Sequence, residues 1–334
     1  SRCWSNIRLT SWPRWAIEFS GAHGAPYAMY HVGWMTLFHP PDVRGGSRTR
    51  DPPYEKNMVT IESLLNTAAL PDSPTPRLDA ELLLAHILGK PRSYLRTWPE
   101  RELDATQLER YQTALVRRQA GEPVAYILGQ QGFWSLDLEV ASHTLIPRPD
   151  TELLVETVLA LLPAAPAQVL DLGTGTGAIA LALASERPAW QLTGVDRVPE
   201  AVALATRNRA RLKLNNANFV ASHWFSGLAG QRYQLIVSNP PYIAADDRHL
   251  AEGDVRFEPS SALVAGADGL DDIRLIIQQA PDYLEAGGWL LLEHGFDQAA
   301  AVRELLGARG FSAVESRRDL GGHERISLGR FESE

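Results

Sequence analysis

The sequence predicts an α/β fold with a seven-stranded, mostly parallel sheet, an antiparallel last strand and a small N-terminal helical bundle. From residue 168 onward, apolar runs of strand length alternate with amphipathic segments, as in a parallel sheet with helices on both faces. The first run ends at Leu172 and leads into a glycine-rich loop. Gly321 and Gly322 lie between the last two strands and predict a hairpin, so the last strand should be antiparallel.

Residues 60–128 have helical periodicity and predict the bundle. The four predicted helices cover residues 60–70, 79–88, 104–119 and 124–128. Helix-ending residues follow the first, second and fourth of them, namely Pro71, Gly89 and Gly129. Because the bundle has no residue cluster suited to catalysis, we interpret it as a module that recognises or docks a substrate. A purely structural cap is the alternative.

The other predicted elements follow in chain order. Residues 133–140 alternate apolar and polar side chains, which predicts a strand, and residues 152–162 predict a helix that ends at Pro163. The predicted strands of the sheet cover residues 168–172, 191–195, 217–221, 233–237, 289–293, 313–317 and 325–328. The predicted helices between them cover residues 178–186, 199–212, 271–284 and 298–309.

Residues 1–57 differ from the rest of the chain. They contain four of the nine tryptophans and have neither helical nor strand periodicity, so nothing in them predicts a folded domain. We interpret this segment as a non-native or disordered leader, with Met58 as the natural start. A genuine but poorly ordered extension is the alternative.

The composition excludes several classes of protein. With 45% hydrophobic and 22% charged residues, the chain resembles an ordinary globular protein, and no apolar run approaches the roughly 18 residues of a membrane span. Cys3 is the single cysteine, which excludes a disulfide framework and a cysteine zinc site. A net charge of −8 argues against binding nucleic acid mainly through its phosphates. We therefore expect a monomeric cytoplasmic protein without a metal, a membrane or a direct nucleic-acid partner.

The glycine-rich loop predicts a site for a nucleotide-like cofactor. Glycine at a strand-to-helix turn allows close approach of a ligand, and the next helix offers free N–H groups. The candidate residues are Asp171, Gly173, Thr174, Gly175, Thr176 and Gly177. A carboxylate at Asp171 suits the ammonium of a methionine moiety and would repel a pyrophosphate. This favours S-adenosyl-L-methionine over NAD.

Two further residues complete the predicted cofactor site. Asp196 ends the second strand of the sheet, where a carboxylate can accept hydrogen bonds from both ribose hydroxyls. Trp224 follows the third strand, where its ring could stack on adenine. A plain core or rim tryptophan is the alternative reading of Trp224.

The tetrapeptide Asn239-Pro240-Pro241-Tyr242 follows the fourth strand and predicts the reaction. An amide or exocyclic NH2 nitrogen is a poor nucleophile because its lone pair is delocalised. The Asn239 side-chain oxygen and the Pro240 carbonyl can accept its two N–H groups, and Tyr242 can pack against the flat group. None of these groups is a strong base, so catalysis should depend on positioning and electrostatic preorganisation.

The tetrapeptide alone leaves the acceptor open between glutamine and adenine. An adenine-N6 methyltransferase acting on DNA or RNA is the main alternative, against which stand the acidic net charge and the lack of a basic target-recognition domain. A binding module that keeps the cofactor fold without catalysis is a third hypothesis.

Several segments together give the chain a family resemblance. From about residue 58 to 331 it resembles the bacterial protein-(glutamine-N5) methyltransferases that act on peptide chain release factors (the HemK/PrmC family). The glycine loop is common to many methyltransferases, whereas three other segments are far more specific to this family. They are residues 147–152 (Pro-Arg-Pro-Asp-Thr-Glu), 239–242 (Asn-Pro-Pro-Tyr) and 255–259 (Val-Arg-Phe-Glu-Pro).

The resemblance implies a class I S-adenosylmethionine-dependent methyltransferase with a Rossmann-like fold, acting on the glutamine of the Gly-Gly-Gln loop in class I release factors. It implies a helical recognition domain at 58–128, a β-hairpin linker at 129–149 and a catalytic domain at 150–334. The loop residues, Asp196, Trp224 and Asn239 would contact the cofactor. Residues Asn239, Pro240, Pro241 and Tyr242 would hold the glutamine amide.

One position departs from the family pattern. The family has an acidic residue immediately before the tryptophan, whereas this chain has His223. If that acid contacts the adenine amino group, the affinity for the cofactor should differ here.

Overall fold

The computed structural model describes residues 59–332, and the predicted leader at residues 1–57 lies outside them. In this part of the chain the α-helices are α1 (Ile61–Thr67), α2 (Pro76–Leu88), α3 (Arg92–Thr97), α4 (Ala105–Gln119), α5 (Val124–Leu128), α6 (Glu152–Leu161), α7 (Ala178–Glu186), α8 (Pro199–Leu212), α9 (Asp271–Gln279) and α10 (Ala299–Ala308). The strands are β1 (Gln130–Phe133), β2 (Leu136–Glu139), β3 (Gln168–Leu172), β4 (Gln191–Asp196), β5 (Ala217–Ala221), β6 (Tyr233–Ser238), β7 (Leu284–Glu293), β8 (Phe311–Arg318) and β9 (Glu324–Phe331).

Helices α1–α5 form the predicted bundle around their own apolar core, in which Leu83, Leu84 and Tyr111 are fully buried. Capping side chains explain where α1 and α4 begin. The Thr60 hydroxyl accepts the Ser63 N–H at 3.2 Å, and the Asp104 carboxylate accepts the Gln107 N–H at 2.8 Å. Helix α3 was not predicted, because its six residues are too few to show a helical period.

The large sheet has the strand order β5-β4-β3-β6-β7-β9-β8. Strands β3 to β7 are parallel, and β9 lies antiparallel between β7 and β8, which confirms the predicted antiparallel last strand. Side chains of β3 alternate between the two faces of the sheet. Val169 packs in the core beneath α6 and α7, and Leu170 packs in the core beneath α9 and α10.

Several predicted elements differ in extent from the structure; β7, for example, begins at Leu284 rather than at residue 289. The helix predicted for residues 271–284 ends at Gln279, and a 3₁₀ turn over Ala280–Asp282 follows. The ring of Pro281 and its missing N–H explain the early end. The strand predicted for residues 133–140 is instead part of a hairpin of β1 and β2, which turns at Trp134 with a φ of 57°. The Glu152 carboxylate accepts the Trp134 N–H at 2.7 Å, which stabilises a turn that the alternating sequence concealed.

The parallel strands determine where the candidate site forms. Strands β3, β4 and β6 are neighbours and all end at the same edge of the sheet. Their carboxyl ends carry the glycine loop, Asp196 and the Asn-Pro-Pro-Tyr segment in turn. The Ser238 hydroxyl donates to the Leu172 carbonyl at 2.7 Å and fixes the end of β6 against the end of β3. The predicted site residues therefore converge at this edge.

Candidate active site

A cleft of about 910 Å³, part of it open to solvent, lies at the carboxyl ends of β3, β4 and β6. Eight of the residues predicted from the sequence line it: Gly173, Thr174, Gly175, Thr176, Asp196, Trp224, Asn239 and Pro241. The other predicted residues do not line the cleft but are close in sequence to residues that do. They are Asp171, Gly177, Pro240 and Tyr242. The cleft is also lined by Arg148 and Thr151, for which the sequence predicted no individual role.

Asp171 is completely buried at the end of β3. Its Oδ2 accepts hydrogen bonds from the Thr174 hydroxyl at 2.6 Å and from the Ala180 N–H at 3.3 Å. Its Oδ1 has no hydrogen-bond partner among the described residues. Burial raises the pKa of Asp171 to about 7, although the two hydrogen bonds oppose the shift. A buried carboxyl with a free oxygen beneath the glycine loop fits a cofactor that carries an ammonium and does not fit a pyrophosphate.

Two glycines of the loop have different surroundings. Gly177 has a φ of 83°, and a Cβ added there would lie 3.0 Å from side-chain atoms of Leu181 and Phe219. Gly175 has a φ of 54°, and a Cβ added there would meet no atom within 4 Å. Gly177 therefore allows close packing of α7 on the sheet, whereas Gly175 leaves open space on the cleft side.

Asp196 uses one carboxylate oxygen to hold the loop and the other to hold the backbone that follows it. Oδ2 accepts the Gly175 N–H at 3.0 Å, and Oδ1 accepts the Val198 N–H at 2.9 Å. Since a carboxylate oxygen has two lone pairs, each oxygen can still accept a second hydrogen bond from a ligand hydroxyl.

Trp224 also lines the cleft, and its ring lies near Gly173 of the glycine loop. It is buried and has the unusual φ of 50°, and its Nε1 donates to Asp272 Oδ1 at 3.2 Å. Burial raises the pKa of Asp272, and the hydrogen bond from Trp224 opposes this. His223, which departs from the family pattern, is exposed beside it with ring centroids 6.1 Å apart.

The Asn-Pro-Pro-Tyr segment is held at its first and last residues. Asn239 Nδ2 donates to the Thr151 hydroxyl oxygen at 3.1 Å. The Tyr242 hydroxyl donates to Glu293 Oε1 at 3.3 Å, and the Tyr242 carbonyl accepts from Gln298 Nε2 at 3.0 Å. The two prolines between them are buried. Hydrogen bonds at both ends and burial in the middle therefore fix the position of the tetrapeptide.

Glu293 ends β7 next to this loop and is only 2% exposed. Burial raises the pKa of its carboxyl to about 7, while the nearby Thr151 and Tyr242 hydroxyls lower it. Its Oε2 has no partner within residues 59–332. The sequence signal for Glu293 as a site residue is its position as an acidic residue at the end of an apolar strand.

An ion pair joins the other two family-specific segments at the cleft. The Arg148 guanidinium lies 2.5 Å from Glu258 Oε2, and Glu258 Oε1 accepts the Ile146 N–H at 3.0 Å. Burial raises the pKa of Glu258, and the charge of Arg148 counteracts it. The pair therefore holds the segment around residue 148 in contact with the segment around residue 258.

Residues 59–332 contain neither a helix suited to cross a membrane nor a candidate metal site. No helix there combines the length and the apolar character that crossing a bilayer requires. Nor does that region contain three or more His, Cys, Asp or Glu side chains grouped so that they could hold a metal ion.

Comparisons with known proteins agree with the predicted family. The family model for the PrmC N-terminal domain matches residues 63–129, and the model for the methyltransferase small domain matches residues 146–256. The catalytic domain of hMettl16, solved with the MAT2A 3′UTR hairpin 6, has the same fold at 18% identity and a TM-score of 0.50. It covers 69% of this chain, and the match spans 83% of that chain.

Two relatives are much closer in sequence. The release factor glutamine methyltransferase of Pseudomonas aeruginosa is 70% identical over 82% of this chain and 99% of its own length. The release factor glutamine methyltransferase of Vibrio cholerae is 54% identical over 83% of this chain and 98% of its own length. These matches confirm the predicted fold class, the family and the cofactor. The chain therefore belongs to the release factor glutamine methyltransferase family, whose enzymes use S-adenosyl-L-methionine as the methyl donor.

Proposed function

We propose that this protein transfers a methyl group from S-adenosyl-L-methionine to N5 of the side-chain amide of the glutamine in the Gly-Gly-Gln loop of class I peptide chain release factors. The main support for the proposal is the position of Asn239, which lines the cleft and donates a hydrogen bond from Nδ2 to the Thr151 hydroxyl. Its Oδ1 is then the end of the side chain that can accept an N–H from a substrate amide.

The cofactor would be held by the predicted loop residues together with Asp196, Trp224 and Asn239. When bound, it supplies an electrophilic methyl group on a sulfonium. Asp171 provides a carboxyl beneath the loop that ionises near pH 7, Asp196 accepts hydroxyl donors, and Trp224 offers a flat apolar face. This set suits a cationic nucleoside better than a dinucleotide.

The acceptor amide would be held by the Asn-Pro-Pro-Tyr loop. Asn239 Oδ1 and the Pro240 carbonyl accept its two N–H groups, which draws electron density to the nitrogen and orients its lone pair. Tyr242 packs beside it, and Pro241 lines the cleft. These groups stabilise the transition state by position and fixed dipoles rather than by proton abstraction. The nitrogen becomes acidic only after methylation, so its proton can leave afterwards.

Selection of one glutamine among many falls to the helical region 58–128, which we propose grips the release factor. The support is a physical link between that region and the cleft. Arg118 of α4 pairs with Asp254 at 2.9 Å, in the segment that also carries Glu258. The domain boundaries predicted from the sequence, a monomeric enzyme and a cytoplasmic location belong to this proposal.

The test is a methylation assay on a recombinant class I release factor. Incubation with S-adenosyl-L-methionine should add one methyl group to the tryptic peptide that contains Gly-Gly-Gln, as measured by mass spectrometry. Changing that glutamine to alanine in the release factor, or Asn239→Ala in the enzyme, should abolish the product. Methylation of DNA or RNA adenine with none on the release factor would instead support the adenine-N6 alternative.

A further inference from the structure

The acceptor function of Asn239 raises a problem of orientation. A carboxamide has an oxygen and an NH2 group of almost the same shape, one an acceptor and the other a donor. The substrate glutamine also presents an NH2 group. If the Asn239 side chain were flipped, two donors would face one another and the substrate would lose its acceptor.

Thr151 is placed to prevent that flip. Its hydroxyl oxygen lies 3.1 Å from Asn239 Nδ2, and the residue is 4% exposed. The Thr151 backbone is fixed in turn, because its N–H donates to the Arg148 carbonyl at 3.1 Å in the turn before α6. A residue held in this way gives the NH2 end of Asn239 a fixed partner, which leaves Asn239 Oδ1 for the substrate.

Glu293 is a nearby buried acid towards which the Thr151 hydroxyl can turn its proton. A hydroxyl has one proton to donate, so Thr151 can accept from Asn239 while donating elsewhere. Burial raises the pKa of Glu293 and the nearby Thr151 hydroxyl opposes this shift, while Glu293 Oε2 has no hydrogen-bond partner among the described residues. A proton directed at this carboxyl leaves the hydroxyl lone pairs for Asn239.

We infer that Thr151, backed by Glu293, is a positioning residue that holds the Asn239 amide with its oxygen towards the substrate. The inference rests on the proposed function and adds residues to it. Thr151 acts through Asn239 and need not touch the reacting atoms. It also gives a chemical reason for a threonine in the Pro-Arg-Pro-Asp-Thr-Glu segment.

The test compares two substitutions of the same residue in the full chain. Thr151→Val keeps the shape and removes the hydroxyl, so kcat for release-factor methylation should fall by about 10- to 100-fold, with a smaller change in KM for the release factor. Thr151→Ser restores the hydroxyl and should recover most of kcat. Thr157→Val is the matched control, since the Thr157 hydroxyl bonds only the Leu153 carbonyl in α6 at 2.7 Å. It should keep the wild-type kcat.

Thermal melting of each variant checks that the fold is retained. The inference is overturned if Thr151→Val has the kcat of the wild type. It is also overturned if Thr151→Ser is as impaired as Thr151→Val, because the methyl group rather than the hydroxyl would then matter. A wild-type enzyme that leaves the release factor unmethylated would defeat the proposed function itself, which is a separate outcome.

Discussion

Two buried carboxyls, Asp171 and Glu293, dominate the electrostatics of the site at the scale of single residues. Ionising either carboxyl in the folded protein is unfavourable, since burial raises both pKa values to about 7. Each also has one oxygen without a partner among the described residues. Buried acids of this kind are unfavourable for folding, so their presence points to a function of the site rather than to stability.

The raised pKa of Asp171 makes a prediction about stability. In the unfolded chain this carboxyl ionises near pH 4, whereas in the folded protein it stays neutral until about pH 7. Its contribution to stability is therefore full below pH 4 and is lost as the pH rises to 7. Asparagine does not titrate, so the Asp171→Asn variant escapes this loss. Its unfolding free energy minus that of the wild type should therefore increase by roughly a few kcal/mol from pH 5 to pH 8. Urea denaturation at both values measures this, and equal differences at both would contradict it.

Glu293 predicts a pH dependence of catalysis. The Thr151 and Tyr242 hydroxyls favour its ionised form, which attracts their protons more strongly than the neutral acid does, so kcat should rise as the pH passes about 7. Arg325 of β9 favours ionisation of this carboxyl, and Asp150 opposes it. Glu293→Gln provides an acceptor that does not titrate, so its kcat should be lower above pH 7 and should lack this step. A step of the same size in the variant would show that another group titrates.

Asp196 predicts an effect confined to the cofactor. Asp196→Asn keeps an oxygen for a backbone N–H but weakens the acceptance of ribose hydroxyls. Affinity for S-adenosyl-L-methionine should fall by about 10- to 100-fold, as for loss of hydrogen bonds to a charged group. Isothermal titration calorimetry measures it, with the exposed Asp246→Asn as the control. Unchanged affinity would remove Asp196 from the cofactor site.

At the scale of elements, sequence patterns predicted most where local chemistry decides the structure. Strand β3 and helices α7 and α8 have the predicted bounds, because an apolar run, a glycine turn and a proline at a helix start are local signals. The turn at Trp134 depends on Glu152, 18 residues away, so no local pattern announces it. Thr151 and Glu293 were missed as partners of Asn239 and Tyr242 for the same reason.

Two glycines of the cofactor loop give a prediction at this scale. A left-handed alanine costs about 1 kcal/mol, so Gly175→Ala should be mildly destabilising because the space around it is open. Gly177→Ala should cost roughly a further 1–3 kcal/mol, since its Cβ would press on Leu181 and Phe219. Urea denaturation of the two variants compares them directly. Equal losses would mean that α7 shifts to accommodate the methyl group.

At the scale of the whole molecule, Arg118 joins the helical bundle to the catalytic region. Its buried guanidinium lies 2.7 Å from Asp79 of α2 and 2.9 Å from Asp254. These charges stabilise Arg118 in its charged form and raise its pKa against the effect of burial. The partners lie 39 and 136 residues from it, so the contact could not be read from the sequence.

Removing this guanidinium should loosen the bundle. Arg118→Met leaves the buried Asp79 without its ionic partner, a loss worth roughly 3–5 kcal/mol. Amide hydrogen exchange in α2 and α4 should become faster, with little change in β3 and β6. Arg117→Met is the matched control, because the Arg117–Glu122 pair lies near the surface and contributes little. Equal exchange in both variants would contradict this role for Arg118.

The arrangement around Asn239 also has a consequence for how the enzyme is made. Thr151 precedes Asn239 by 88 residues, and Glu293 follows Tyr242 by 51 residues. Synthesis of the chain reaches the glycine loop and Asp196 long before it reaches Glu293. The glycine loop and Asp196 are therefore synthesised early, but the acceptor pocket is complete only after β7 has paired with β6. Release-factor methylation should therefore require the chain through β7, so activity reports on completed folding.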